Sequence, residues 1–329
     1  MNLAFAQTPN VVNAKVQTGS AAAGLEAAVQ SLISSQNGPL WIGYAVPIVK
    51  GEHQMCCWSD GGMCSTRLEP LQQETNVSMN RPIRLEGPSE LSVLLRVEGR
   101  TVGKVRVFTP DCPLDAGGLP FHWLQDVRPA ESVRYLMTLA KTNEPAVTAI
   151  ALHAEPSADG ALESLAAKDQ PESLRKKAIF WLGNSRGPSG FKVLDRIVRD
   201  DPSDKIREQA VFALSQSKEP AGIPRVIQVA REDKSPHVRG QALFWLAQRA
   251  GRKVAEAELN HAIDNDPEVE VKKKAVFGLS QLPDQEGVPL LIQVARANRN
   301  PAVRKQALFW LGQSKDPRAL TFFEEVLAK

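Results

Sequence analysis

QALFWLGQS (306–314) is the fifth appearance of one block in this chain. The earlier copies are KAIFWLGNS (177–185), QAVFALSQS (209–217), QALFWLAQR (241–249) and KAVFGLSQL (274–282). Their alanines, Ala178, Ala210, Ala242, Ala275 and Ala307, recur at a nearly constant interval. A proline stands a turn or two ahead of each alanine, at Pro171, Pro202, Pro236, Pro267 and Pro301. The other half of the unit recurs as GIPRVIQVAR (222–231) and GVPLLIQVAR (287–296). Such a period marks stacked supersecondary units, each burying its apolar face against its neighbours. Pro145-Ala146-Val147 echoes Pro301-Ala302-Val303 and reads as a degenerate first copy. The expectation is an all-α superhelical solenoid of five to six repeats over residues 145–329.

A helical wheel with its 3.6-residue turn sorts the block. Val303 and Leu311, one turn before and one turn after Ala307, share its face and should pack on the first helix of the repeat. Alanine suits a position where two helix backbones approach closely. Three residues before each alanine comes a cation (Arg175, Arg207, Arg239, Arg304, with Lys272 as the variant) at the edge of that face. These cations are read as structural braces, bonding carbonyls or carboxylates such as Asp200 and Asp266. Three residues after each alanine, Trp181, Ala213, Trp245, Gly278 and Trp310 alternate large with small, as interdigitating layers require. Phe180, Phe212, Phe244, Phe277 and Phe309, two after each alanine, lie nearly opposite the packed face. Beside them come Gln209, Gln241 and Gln306, alternating with Lys177 and Lys274, then Gln248, Gln281 and Gln313 with Asn184 and Gln216. An apolar row with a polar rim is the pattern of a protein- or peptide-binding groove. Mutual packing of the rings and docking of the N-terminal domain over them compete with that reading.

The pattern Pro-x-Val-Arg-x-x-Ala-x-x-x-Leu-Gly, seen from Pro301 to Gly312, resembles the short bacterial HEAT repeats of phycobilisome-lyase-type proteins. The resemblance covers about residues 145–329. It implies two antiparallel helices per repeat, stacked into a curved rod whose second helices line the concave side.

Ahead of the repeats the pattern is different, and it resembles no recognised family. Residues 1–20 read as a disordered leader, with Ala4-Phe5-Ala6 similar to the cleavage site of a secretory signal. Residues 25–125 read as a small α+β domain with an antiparallel sheet. LSVLLRV (91–97) and TVGKVRVFT (101–109), joined by Glu98-Gly99-Arg100, form its expected hairpin. Residues 129–141 read as a linking helix opened by Pro129. All four cysteines, Cys56, Cys57, Cys64 and Cys112, lie in this part. With the Ala-x-Ala site they suggest export, periplasmic or extracellular, and disulfides. Cys56 and Cys57 point to opposite faces of a strand, so each needs its own partner from Cys64 and Cys112. Free thiols, and a metal site from His53, Cys56, Cys57 and Cys64, are the rival readings.

Residues 161–329 carry 28 Lys and Arg against 22 Asp and Glu, too even a balance for the basic stripe of a nucleic-acid surface. No segment reaches the apolar length of a membrane span. The five histidines (His53, His122, His153, His237, His261) are scattered, with no His-Glu dipeptide, H-E-x-x-H or nucleophile elbow. Asp111, Asp115 and His122 form the one tempting cluster, which in a loop reads as structural. The functional expectation is a non-catalytic scaffold, without cofactor or metal, that binds another protein or peptide on the Phe- and Gln-lined face. The alternative is a lyase-like or other enzyme with its site in the N-terminal domain or the groove.

Overall fold

The computed structural model describes residues 9–36, 38–50, 58–59, 62–63, 89–110, 112–283 and 286–328. They divide into two compact units, Met1–Leu165 and Ala166–Lys329. The expected cleavage site at Ala4-Phe5-Ala6, together with His53, Cys56, Cys57, Cys64 and Asp111, lies outside the described residues.

The first unit opens with β1 (Val11–Val12), β2 (Val16–Ser20), α1 (Leu25–Ser35) and β3 (Leu40–Pro47). The short strands β4 (Trp58–Ser59) and β5 (Gly62–Met63) pair with each other. Then come β6 (Glu90–Glu98), β7 (Thr101–Phe108), β8 (Leu114–Asp115), β9 (Phe121–Gln125), α2 (Pro129–Leu139), α3 (Glu144–Leu152) and α4 (Ser157–Leu165). The main sheet has the order β2-β9-β3-β6-β7. Its β3, β6 and β7 are antiparallel, as expected, but β9 runs parallel to both β2 and β3. The sheet is therefore mixed. The hairpin turns at Gly99 and Arg100, both at positive φ (57° and 64°), as a two-residue turn matched to strand twist requires.

One sheet face carries Ile42, Tyr44, Leu91, Val93, Leu95, Val105 and Val107, all fully buried. The other gathers Leu94, Cys112, Leu114, Ala116, Phe121 and Trp123 into a second cluster. Burial on both faces explains why the β6 sequence is a nearly continuous apolar run rather than an alternating one. The leader expected over residues 1–20 needs correction at its C-terminal end. Val16–Ser20 is an edge strand paired with β9, and Val11–Val12 pairs with β8. The helix expected as a linker, α2, buries Ser132, Val133, Tyr135 and Leu136 and belongs to this unit's core.

The second unit is a helical solenoid. It comprises α5 (Glu172–Ser185), then the pairs α6 (Gly187–Asp200) with α7 (Asp204–Gln216) and α8 (Gly222–Glu232) with α9 (Pro236–Arg249). The pairs α10 (Arg252–Asn265) with α11 (Val269–Ser280) and α12 (Gly287–Ala297) with α13 (Pro301–Gln313) follow, then α14 (Pro317–Leu327). All five repeat alanines are 0% exposed. Val303 and Leu311 flank Ala307 in the same buried stripe, each contributing roughly 1.5–3 kcal/mol by burial. First helices enter tightly beneath the preceding second helix: a side chain at Gly287 would collide with the Leu279 carbonyl oxygen. The second helices α5, α7, α9, α11 and α13 pack directly on one another in succession, whereas first helices of neighbouring repeats touch only lightly.

Candidate functional site

The second helices are placed by a repeated loop. Asp201, Asp233, Asp266 and Asn298 occupy one position of the repeat. Each side chain accepts the backbone N–H two residues on: Ser203 at 3.0 Å, Ser235 at 2.8 Å, Glu268 at 2.9 Å and Asn300 at 2.9 Å. This is the Asx turn that starts the following helix. The cation ladder locks onto it. Arg175 pairs with Asp201, Arg207 with Asp233 and Arg239 with Asp266, so three successive junctions between repeats are tied. Arg207 and Arg239 also donate to the carbonyls of Asp201 and Asp233 in their own repeats, each at 2.9 Å. The bracing role holds, with one correction: the first acceptor is Asp201, not Asp200. Asp201 points inward because its carboxylate closes the turn on Ser203. The hydrogen bond and charge of Asp233 hold the Arg207 guanidinium above its ordinary value. The Ser235 hydroxyl, 2.5 Å away, together with Arg207 draws the Asp204 carboxyl down.

Held in this register, the second helices carry three rows. The middle row is aromatic. Phe180 stacks on Phe212 at 6.2 Å, and Phe212 meets Trp245 of the next repeat at 4.7 Å. Phe244 stacks on Phe277 at 6.0 Å, and Phe277 meets Trp310 at 4.9 Å. Trp245 and Trp310 each turn an edge toward the phenylalanine before them, Phe244 and Phe309, at 5.0 Å. The five phenylalanines thus form one ladder, but not the open row of exposed rings the wheel suggested. Phe180, Phe212, Phe244 and Phe277 are half-buried by their neighbours, and Phe309 is 53% exposed. Each ring covers part of the next and leaves an edge to solvent. The tryptophans share the inter-repeat packing, as their alternation implied.

The C-terminal row is amide. Gln248 and Gln313 are exposed, while Gln216 and Gln281 are half-buried, each donating to the serine before it. On the N-terminal side of the rings, at the position that Lys177 and Lys274 hold in the other repeats, Gln209, Gln241 and Gln306 are half-buried. The N-terminal side thus mixes these glutamines with lysines: Lys176, Lys177, Lys205, Lys273, Lys274 and Lys305. Of these lysines, sequence reading singled out only Lys177 and Lys274. The signal for the others lay two and five residues before the alanine, positions that the same wheel puts on either side of the phenylalanine row. Contacts across repeats run through the outer rows too. Glu208 meets His237 at 3.1 Å, the stem of Lys274 lies over Gly240, and Arg249 bonds Gln216.

The first unit brings together a group that sequence reading missed. The Ser132 hydroxyl lies 2.8 Å from both the Tyr44 hydroxyl and His153 Nε2, and His153 Nδ1 donates to the Ala149 carbonyl at 2.6 Å. A serine on a histidine is the pairing a nucleophile needs. All three side chains are 0% exposed, so the group ties β3 to α2 and to the end of α3. Burial pushes the Tyr44 hydroxyl well above its ordinary value. Asp115 and His122 do not act together: exposed Asp115 is held by Gly117 N–H at 2.8 Å and Asn13 at 2.9 Å. His122 is buried in β9. Among the described residues no three His, Cys, Asp or Glu side chains group as a metal site. No described helix is long and apolar enough to cross a membrane. Cys112 is disulfide-bonded.

The family model for HEAT repeats matches residues 159–247 and 256–329. No curated protein matches the chain. Among solved structures, the chain is similar to the complex of CpcE and CpcF of phycocyanin lyase from Nostoc sp. PCC7120. That match has 20% identity and a TM-score of 0.36 over 49% of this chain and 100% of that one. Human deoxyhypusine hydroxylase in complex with glycerol matches at 15% identity and a TM-score of 0.26, over 60% of this chain and 90% of that one. Kap121p matches at 12% identity and a TM-score of 0.35, over 61% of this chain and 25% of that one.

Proposed function

Because this chain is a HEAT-repeat protein over residues 159–329, we propose that it works as a non-catalytic scaffold that holds a protein or peptide partner on its second-helix layer. The observation that carries this reading is the aromatic ladder from Phe180 to Phe309, half-open to solvent and bordered by glutamines. A soluble protein that needed these rings only as core would gain by closing the layer over them. Rings left partly open beside amide side chains are instead available for docking, and aromatic side chains dominate binding energy at interfaces. The second helices pack directly on one another, so a partner laid across them meets several repeats at once. An enzymatic reading has no comparable support, since the described serine–histidine pair is closed to substrate. Export is proposed on the sequence alone, from Ala4-Phe5-Ala6 and the clustered cysteines.

Site-specific photo-cross-linking tests the reading. A benzoylphenylalanine at Phe309 should give a discrete adduct in the native lysate. The same group at Val254, exposed on the first-helix layer, should give none. Adducts from position 254 alone would place the binding surface on the other side of the stack and overturn the proposal.

A further inference from the structure

We infer that the α13–α14 edge of the stack is a second docking surface, which takes an aspartate-led amphipathic helix of a partner protein in the place of a further second helix. The inference concerns this edge rather than the aromatic ladder, and it rests on the junctions that the repeats make with one another.

α14 presents an apolar stripe that its counterpart hides. Leu320, Phe323 and Val326 occupy the positions that Val288, Leu291 and Val294 hold one repeat earlier, on α12. The three α12 residues are buried, and α13 packs directly on that helix. On α14, Leu320 is 63% and Val326 51% exposed, and Phe323 is half-buried. No second helix follows α14 among the described residues. Of the six large apolar side chains exposed among those residues, Leu320, Val326 and Leu327 all stand on α14. A solenoid ordinarily closes its outermost repeat with a polar face.

α13 supplies two further parts of a junction. Arg207 and Arg239 each grip the aspartate that leads the following second helix, and lysine stands at 272, where the facing residue is Asn298. At 304 the cation is arginine again. It donates to the Asn298 and Arg299 carbonyls, at 2.8 and 3.1 Å, and has no carboxylate partner among the described residues. Gly312 is the counterpart of Gly183 in α5. A Cβ at Gly183 would stand 2.5 Å from the Ala213 carbonyl oxygen of α7, so glycine lets those two helices approach. A Cβ at Gly312 would meet nothing within 4 Å. No positive φ calls for glycine at 312, and glycine weakens a helix. A helix seated on α13 as α7 sits on α5 gives it a purpose.

The α5–α7 junction therefore gives the chemistry of the occupant. α5 and α13 share the cation (Arg175, Arg304), the large ring (Trp181, Trp310) and the glycine (Gly183, Gly312). α7 answers them with Asp201 ahead of its first turn and with Ala213 at the position where other repeats carry tryptophan. The occupant of the α13–α14 edge needs the same carboxylate for Arg304 and the same small residue beside Trp310. It also needs an apolar stripe for Leu320 and Val326. A second copy of this chain has no such helix to lend, because α5, α7, α9, α11 and α13 each bury their alanine within their own chain. The helix belongs to a different protein.

The test uses the full chain and a labelled peptide with the sequence of residues 201–216, held helical by a staple between positions 205 and 209. Binding is read by fluorescence anisotropy. The peptide should bind, and versions carrying Asp201→Asn or Ala213→Trp should each bind at least tenfold more weakly. In the chain, Gly312→Leu should weaken the peptide at least tenfold while leaving the circular dichroism melt unchanged, since no neighbour lies within 4 Å of the new side chain. In Arg304→Ala the original and Asp201→Asn peptides should bind equally, whatever that change does to stability. No measurable binding of the peptide, or full binding to a normally melting Gly312→Leu chain, would overturn the docking edge. A penalty for Asp201→Asn that persists in Arg304→Ala would overturn the role of Arg304. Self-association of the chain that Gly312→Leu abolishes would overturn the partner assignment, because a second copy would then hold the edge.

Discussion

Arg207 and Asp233 join successive repeats through a two-pronged ion pair: Arg207 Nε donates to Oδ2 at 2.8 Å and Nη2 to Oδ1 at 2.9 Å. Their side chains are 1% and 5% exposed. Removing one member of a buried pair leaves the other charge uncompensated, at a cost of about 3–5 kcal/mol. Arg207→Ala should therefore lower the stability of the repeats by about 3 kcal/mol or more in urea unfolding. Arg296→Ala, which breaks the half-exposed pair with Glu325, should cost less than about 1 kcal/mol. Similar losses at both positions would mean that the inter-repeat ladder is not what couples the stack.

The ladder lacks one rung. Lys272 stands where Arg207 and Arg239 stand in other repeats, and it reaches only the Ile263 and Asp264 carbonyls, each at 2.8 Å. The position it would face in the next repeat holds Asn298 rather than aspartate. A single-headed ammonium cannot make the fork that Arg207 makes, and the neutral amide does not ask for one. Lys272→Arg combined with Asn298→Asp should install the missing pair. The double variant should exceed the sum of the two single changes by about 1 kcal/mol in a double-mutant cycle. Additive singles would show that the geometry of this junction differs from the others.

Ala242 and Phe244, two residues apart on α9, should respond very differently. Ala242 is 0% exposed between helices, so Ala242→Glu buries a charge without a partner and overpacks a close contact. It should cost several kcal/mol or prevent folding. Phe244 is half-buried and stacked on Phe277, so Phe244→Ser forfeits a ring pair worth about 0.5–1.5 kcal/mol beyond its buried area. Phe309, at the open end of the ladder, should be replaceable by serine within about 0.5 kcal/mol. Thermal melts of the three variants give the order directly. A Phe309→Ser loss as large as that of Phe244→Ser would make the ladder core rather than surface.

His122 gives the first unit an acid-sensitive point. Burial lowers its pKa below the usual 6.5, so the folded chain keeps the ring neutral where the unfolded chain takes up a proton. Below about pH 6.5 the unfolded state binds more protons, and stability falls as pH falls. Hydrogen exchange across β9 should show a smaller opening free energy at pH 5 than at pH 7. His122→Gln, which cannot titrate, should flatten that difference even if it weakens the strand at both values. An unchanged pH slope in the variant would assign the acid sensitivity elsewhere.

How much of this was legible in the sequence depended on how local each signal was. The repeats announced themselves because Ala178 to Ala307 recur at a nearly fixed period, and the wheel placed Val303, Ala307 and Leu311 in one buried stripe. The direction of Phe244 was legible too, but its half-burial was not. A wheel shows which way a ring points, and only the next repeat shows that Phe277 lies 6.0 Å away. Asp201 was missed by one residue because its choice over Asp200 is made by the turn it closes on Ser203. Lys176, Lys205, Lys273 and Lys305 escaped notice because they lie on a side of the rings shared with glutamines. In the first unit the hairpin was plain, whereas Val16–Ser20 pairs with Phe121–Gln125, a parallel partner far along the chain. No turn or local alternation records such a pairing.

The most direct measurement of the binding face is the affinity of the species cross-linked at position 309 for Phe309→Ser against the unaltered chain at matched melting temperature. A loss of tenfold or more, about 1.4 kcal/mol, is expected, because the substitution removes an exposed anchor without disturbing the stack. Unchanged affinity in a variant that melts normally would contradict the assignment of this aromatic ladder as the surface that holds the partner.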